Sequence, residues 1–129
     1  MNIIAIDYGE KRIGIAKGGD DTKMALPFCI IENKSNDFVL SEILKIIKNE
    51  DIGLLIIGLP LGLGGKNTNQ TNIITSFVSL LEKETDIPIL TMDERFTSRG
   101  ANNLFGDNKK RKIDDVAAMI MLQNFLDKK

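Results

Sequence analysis

The sequence predicts an α/β fold: a five-stranded mixed sheet with helices on both faces. Three observations carry this expectation. The first third of the chain reads as successive strands, with apolar segments at 2–8, 12–17 and 24–32. Beyond them, helical and strand patterns alternate, which implies parallel crossovers added to an antiparallel start. Finally, Leu54-Leu55-Ile56-Ile57 is a short unbroken apolar run, the mark of a strand buried on both faces. At 129 residues, the chain suits one domain over 1–129 and buries enough surface for a core without disulfides.

In chain order, segments 2–8 and 12–17 form a hairpin-like pair joined by Gly9-Glu10-Lys11. A third strand covers 24–32 and ends before the polar stretch Asn33-Lys34-Ser35-Asn36, where Ser35 or Asn36 can cap a helix. Phe38, Val39, Ile43, Leu44, Ile46 and Ile47 then recur at helical spacing. After the strand around 54–57, the segment from Gly58 to Gly65 reads as a loop by composition. A second amphipathic helix over about 70–84 turns Ile73, Ile74, Phe77, Val78, Leu80 and Leu81 inward. Residues 87–92 form the fifth strand, opened by Pro88. A polar connection containing Lys109-Lys110-Arg111-Lys112 leads to a last helix over about 113–127.

Composition excludes several chemistries. Hydrophobic residues make up 43% and charged residues 27%, ordinary for a globular domain. There is no histidine and one cysteine, so His bases, His-containing triads and zinc sites of imidazole or thiolate are absent. Any catalytic metal must be held by oxygen ligands, which points to Mg2+ or Mn2+. A net charge of -1 argues against a protein that coats nucleic acid non-specifically, while permitting a local basic patch. No apolar run approaches the roughly 18 residues of a membrane span. The N-terminal apolar stretch lacks a basic leader and is interrupted by Asp7, so no signal peptide is expected. Cys29, a small hydrophobe expected to be buried, cannot form an internal bridge and fits a reducing cytoplasm.

The carboxylates are the informative polar residues. Asp7 stands on an otherwise apolar strand, where a charge is costly unless it is paired, metal-bound or at the strand's wet end. Asp93-Glu94-Arg95 directly follows the fifth strand. Asp114 and Asp115 open the last helix, where the helix dipole alone would favour them. They flank the stripe of Ala118, Met121 and Leu122, and periodicity does not choose between them. Parallel strands end on one edge, so these acids can meet in one crevice. Such a cluster would hold the metals of a phosphodiester-cleaving site. The glycine-rich stretch Gly62-Leu63-Gly64-Gly65-Lys66-Asn67 is not a nucleotide-binding phosphate loop, because Pro60 and Asn67 replace its required Gly and Ser or Thr.

Four segments in register resemble the YqgF (RuvX-like) family. They are Ile4-Ala5-Ile6-Asp7-Tyr8-Gly9 with Lys11-Arg12-Ile13-Gly14, then Ile57-Gly58-Leu59-Pro60, then Asp93-Glu94-Arg95-Phe96-Thr97-Ser98, and Asp114-Asp115-Val116-Ala117-Ala118. The resemblance implies an RNase H-like fold and a metal-dependent nuclease, associated with maturation of the 5′ end of 16S ribosomal RNA. It also implies a Holliday junction resolvase as the alternative. Position by position, the family's acids fall on Asp7, Glu94 and Asp114, which become the expected catalytic and metal residues. Lys11, Arg12, Arg95, Thr97 and the run Lys109, Lys110, Arg111 and Lys112 become the expected substrate contacts. Some positions depart from the pattern: Gly100 stands where the family often has an acid, and Lys17-Gly18 where it often has Ser-Asp. The end of the central strand carries Gly58 in place of the acid many such nucleases place there.

The expected partner is therefore nucleic acid, either pre-16S rRNA or junction DNA, with the protein a monomer or homodimer and no membrane involved. A non-catalytic RNA-binding factor of the same fold would bind RNA regardless of metal and acids. An ATP-binding protein of the sugar-kinase type shares an Asp-x-Gly loop but needs two domains to clamp its nucleotide.

Overall fold

The computed structural model describes residues 1–60, 68–93 and 113–128. Three strands come first: β1 (Asn2–Tyr8), β2 (Arg12–Gly19) and β3 (Ala25–Glu32). Helix α1 (Asn36–Asn49), strand β4 (Ile52–Leu59), helix α2 (Asn69–Glu84), strand β5 (Ile89–Asp93) and helix α3 (Ile113–Asp127) follow. The sheet order is β3-β2-β1-β4-β5. The first three strands pair antiparallel, while β1, β4 and β5 run parallel. The most apolar strands, β1 and β4, are therefore interior, where both faces need covering.

Alternation along these strands sorts side chains to two cores. Ile4, Ile6, Tyr8, Ile13, Ile15, Leu55 and Ile57 pack with Val39 and Ile43 of α1 and with Ile74, Phe77 and Leu81 of α2. Ile3, Ala5, Ala16, Leu54 and Ile56 pack with Ala118, Met121, Leu122 and Leu126 of α3. On the α3 side β2 presents the small residues Gly14, Ala16 and Gly18, and α3 sits close there. At Gly18 an added Cβ would lie 2.5 Å from the Met24 carbonyl oxygen and 3.2 Å from Leu122 Cδ2.

Caps fix the helix starts. The Ser35 Oγ accepts the Phe38 N–H at 3.1 Å, which selects Ser35 over Asn36 as the cap of α1. Thr68 and Thr71 form a reciprocal capping box on α2. The Thr71 hydroxyl, 2% exposed, also donates to the Pro60 carbonyl at 2.6 Å and so ties the end of β4 to the start of α2.

Several expectations need correction. Gly58 and Leu59 belong to β4, not to a loop, because their backbones pair with Met92 and Asp93 of β5; a satisfied ladder outweighs local composition. Ile73 is 49% exposed, since the buried stripe of α2 runs through Ile74, Phe77, Val78 and Leu81 and leaves its neighbour outside. Cys29 is half-buried instead of buried, because β3 is an edge strand that its helices cover only in part. The loop from 61 to 67 lies outside the described residues.

Candidate functional site

Asp7 is the next-to-last residue of β1 and is partly exposed at the strand's carboxyl end. Its position in the alternation, two beyond Ala5, puts its side chain on the face covered by α3. Across the antiparallel ladder it opposes Gly14 of β2. On the other side the parallel ladder pairs Ile6 with Ile57, so Gly58 is the next residue of β4 at the level of Asp7. Glycines thus occupy both neighbouring strands beside Asp7. The residues directly beside Asp7 on these two strands bring no side chain of their own.

The direction of α3 decides whether its acids come near. The Gln123 side chain accepts the Ala25 N–H at 3.0 Å and donates to the Lys23 carbonyl at 3.0 Å. These contacts pin the carboxyl half of α3 at the start of β3, the sheet edge where β1 begins, since Gly18 pairs with Ala25 and Gly19 with Asn2. A helix of 15 residues is about 22 Å long, much the same as a seven-residue strand. The first turn of α3, which contains Asp114 and Asp115, therefore lies at the opposite edge, on the face and at the end where Asp7 stands. Strand β5 brings Asp93 to this edge as well, opposite Leu59.

Among the expected catalytic residues, Asp7 is placed in full, and Asp114 is placed through the backbone of α3. Glu94 lies outside the described residues, as do Arg95, Thr97, Lys109, Lys110, Arg111 and Lys112. Lys11 is exposed in the turn between β1 and β2. Arg12 is exposed at the start of β2, and the alternation through Gly14 and Ala16 puts it on Asp7's face. Among the described residues, no cluster of three or more acids is close enough to hold a metal ion.

Three polar side chains that the sequence did not mark as part of a site, Asn33, Asn36 and Gln70, converge on the segment after Asp7. The Tyr8 hydroxyl donates to Asn36 Oδ1 at 2.9 Å, and Gln70 Nε2 donates to the Tyr8 carbonyl at 3.4 Å. Asn33 Nδ2 donates to the Gly9 carbonyl at 2.9 Å. All three sit at the ends of elements, where polar residues are ordinarily caps or turn formers, so no sequence signal separates them from such roles. They also show that α1 and α2 begin at this edge. With α3, three helix amino termini point there, and their partial positive charge favours an anionic ligand.

The model of the family described as "RuvX: Holliday junction resolvase" matches residues 1–128. The chain belongs to the RuvX family. A RuvX relative from Maridesulfovibrio salexigens, named "Putative pre-16S rRNA nuclease", is 37% identical over 132 residues, covering 98% of this chain and 98% of its own. Among solved structures, T. thermophilus RuvC in complex with Holliday junction substrate superposes with a TM-score of 0.67 at 10% identity, over 98% of this chain and 94% of that one. The fowlpox virus Holliday junction resolvase superposes with a TM-score of 0.61 at 14% identity, over 100% of both chains. These superpositions establish the RNase H-like fold. RuvX is a nuclease family acting on phosphodiester bonds.

Proposed function

We propose that this chain is a metal-dependent endonuclease that hydrolyses a phosphodiester bond at the 5′ end of pre-16S rRNA, in the cytoplasm, as a single domain over 1–129. The observation that carries the reading is Asp7, a carboxylate at the end of β1, with glycines beside it on both neighbouring strands, at the edge where α3 begins. The donor set fits Mg2+ or Mn2+, because every candidate ligand is a carboxylate oxygen. Asp7, Glu94 and Asp114 would hold the ion, with Asp93 and Asp115 as their nearest alternatives in sequence. Once bound, such an ion supplies Lewis-acid polarisation of the phosphoryl oxygens and neutralises their charge.

The chain's own residues do the rest. Glycine at positions 14 and 58 leaves room beside Asp7 for a phosphate. The helix amino termini and Arg12 offset the charge of the phosphates on either side. Lys11, Arg95, Thr97 and the run from Lys109 to Lys112 extend that contact along the strand.

The test is cleavage of a pre-16S fragment with Mg2+ or Mn2+ by the parent chain and by Asp7→Asn. The substitution is expected to lower the rate by at least ~100-fold, the scale of losing one transition-state electrostatic partner, with unchanged melting. Equal cleavage by both proteins would identify a contaminant and reject the assignment. Tight RNA binding unaffected by chelator and by Asp7→Asn, with no cleavage, would make the chain a non-catalytic RNA-binding factor.

The second reading, a resolvase acting on four-way DNA junctions, is favoured by the family description and by the superposition on RuvC. A resolvase is expected to match its two-fold substrate with a two-fold dimer. Strictly monomeric behaviour at working concentration, with RNA cut and junctions left intact, would exclude it.

A further inference from the structure

We infer that Asn33 is a positioning residue that fixes the turn between β1 and β2 so that Lys11 and Arg12 meet nucleic-acid phosphates beside Asp7. The inference rests on the proposed nuclease reading and adds to it a determinant of substrate affinity outside the acids.

The turn is tight at both ends. An added Cβ at Gly9 would collide with the Arg12 carbonyl oxygen, so the chain folds directly back on itself there. Asn33 then grips both sides of the turn from the end of β3. Its side-chain amide donates to the Gly9 carbonyl at 2.9 Å, and its backbone N–H donates to the Lys11 carbonyl at 2.9 Å. The backbone bond merely continues the ladder beyond the pairing of Arg12 with Glu32. The side-chain bond is additional, and it spans 24 residues of sequence to reach the turn.

A short hairpin turn does not need an outside clamp to form. What the clamp adds is a fixed direction for the two cations the turn carries. Long basic side chains lose less freedom on meeting a phosphate when their backbone is already held, and that gain appears as affinity. Gln70 on the Tyr8 carbonyl and Asn36 on the Tyr8 hydroxyl hold the residue just before the turn. The stretch from Asp7 to Arg12 is thus tethered at Tyr8, Gly9 and Lys11, keeping acid and cations in one register. An unclamped turn would let Lys11 and Arg12 swing relative to Asp7, and binding would weaken while the chemistry at the acid stayed intact.

Binding and turnover can be separated experimentally. Affinity for a fluorescein-labelled stem-loop RNA with a single-stranded 5′ extension is measured in the Asp7→Asn background, in chelator, where no cleavage occurs. Asn33→Ala is expected to weaken binding about fivefold, the scale of one lost hydrogen bond. Adding Asn33→Ala to Arg12→Ala is expected to cost less than about twofold more, because the clamp acts through the cations it holds. The salt dependence should become shallower by about one phosphate contact, as it does for Arg12→Ala alone.

With Asp7 restored, Asn33→Ala should raise KM and leave kcat within about twofold. Asn33→Asp keeps the size of the side chain and removes the donor, so it gives the same readouts should the alanine variant fold poorly. Parental affinity in both Asn33 variants, or full multiplicative losses in the double variant, would overturn the inference and leave the nuclease reading intact. Failure of the parent chain to bind either this RNA or a four-way DNA junction would overturn both.

Discussion

Asp7 is affordable on an apolar strand because it occupies the strand's carboxyl end, where water and backbone dipoles reach it. Two residues earlier, at Ala5, the same charge would be sealed under α3, at a cost of several kcal/mol, on the order of an unpaired buried ion. Cys29 illustrates the opposite placement. Partial burial raises its thiol pKa above the ordinary cysteine value, with the Glu42 carboxylate adding to the effect. The thiol therefore stays protonated in the folded chain at pH values where the unfolded chain has begun to ionise. Its contribution to stability is complete below the unfolded pKa and is lost as pH rises through the folded one. Iodoacetamide should accordingly modify Cys29 in the folded protein several-fold more slowly than a free cysteine at pH 8. Equal rates, followed by mass spectrometry, would show that the thiol is not shielded. At this scale the sequence was informative where a residue broke a pattern. Asp7 interrupts an apolar run, and it was found by that interruption. Asn33, Asn36 and Gln70 sit where polar residues are ordinary, so only their partners reveal them.

The elements are joined by a few polar ties at their ends. The Thr71 hydroxyl accepts the Thr68 N–H and donates to the Pro60 carbonyl just after β4, so one hydroxyl ties the end of the strand to the start of α2. Thr71→Val keeps the shape and removes both bonds, leaving the partly buried Pro60 carbonyl only the longer contact from the Thr68 hydroxyl, at 3.4 Å. It should cost about 1 kcal/mol in urea unfolding, the net worth of a typical intramolecular hydrogen bond. A loss under about 0.5 kcal/mol would mean water replaces the hydroxyl. Strand and helix identities were readable because period two and period 3.6 are both sustained along this chain. Their limits were less so. Gly58 and Leu59 have loop composition yet lie in β4, because pairing with β5 comes from residues some thirty positions away. Ile73 fits a helical stripe one position too wide, and only the placement of the sheet shows that its side faces solvent.

At the scale of the whole molecule, among the described residues, α1 and α2 together cover one face of the sheet and α3 covers the other. Met121, Leu122 and Leu126 have no exposed surface and seal Ile3, Ala5, Ala16, Leu54 and Ile56. Leu122→Ala should therefore lower stability by about 2–5 kcal/mol, as for a large core side chain cut to a methyl group. A loss below about 1 kcal/mol by chemical denaturation would mean that the sheet face relaxes to fill the space. The number of strands, the mixed sheet and the two-sided cover were all legible in the order of the segments. That α3 begins at Asp7's edge was expected from the acids at the strand ends, and its structural basis is the anchoring of Gln123, near the far end of that helix, to Lys23 and Ala25. This arrangement also has a consequence for biosynthesis. A ribosome making the chain releases β1, β2 and β4 long before the residues of α3, so their second face stays uncovered during most of translation. The nascent protein is then a half-closed sheet, a client for chaperones that bind apolar surface, and the acid of β1 gains the turn it faces only when synthesis has reached the last helix.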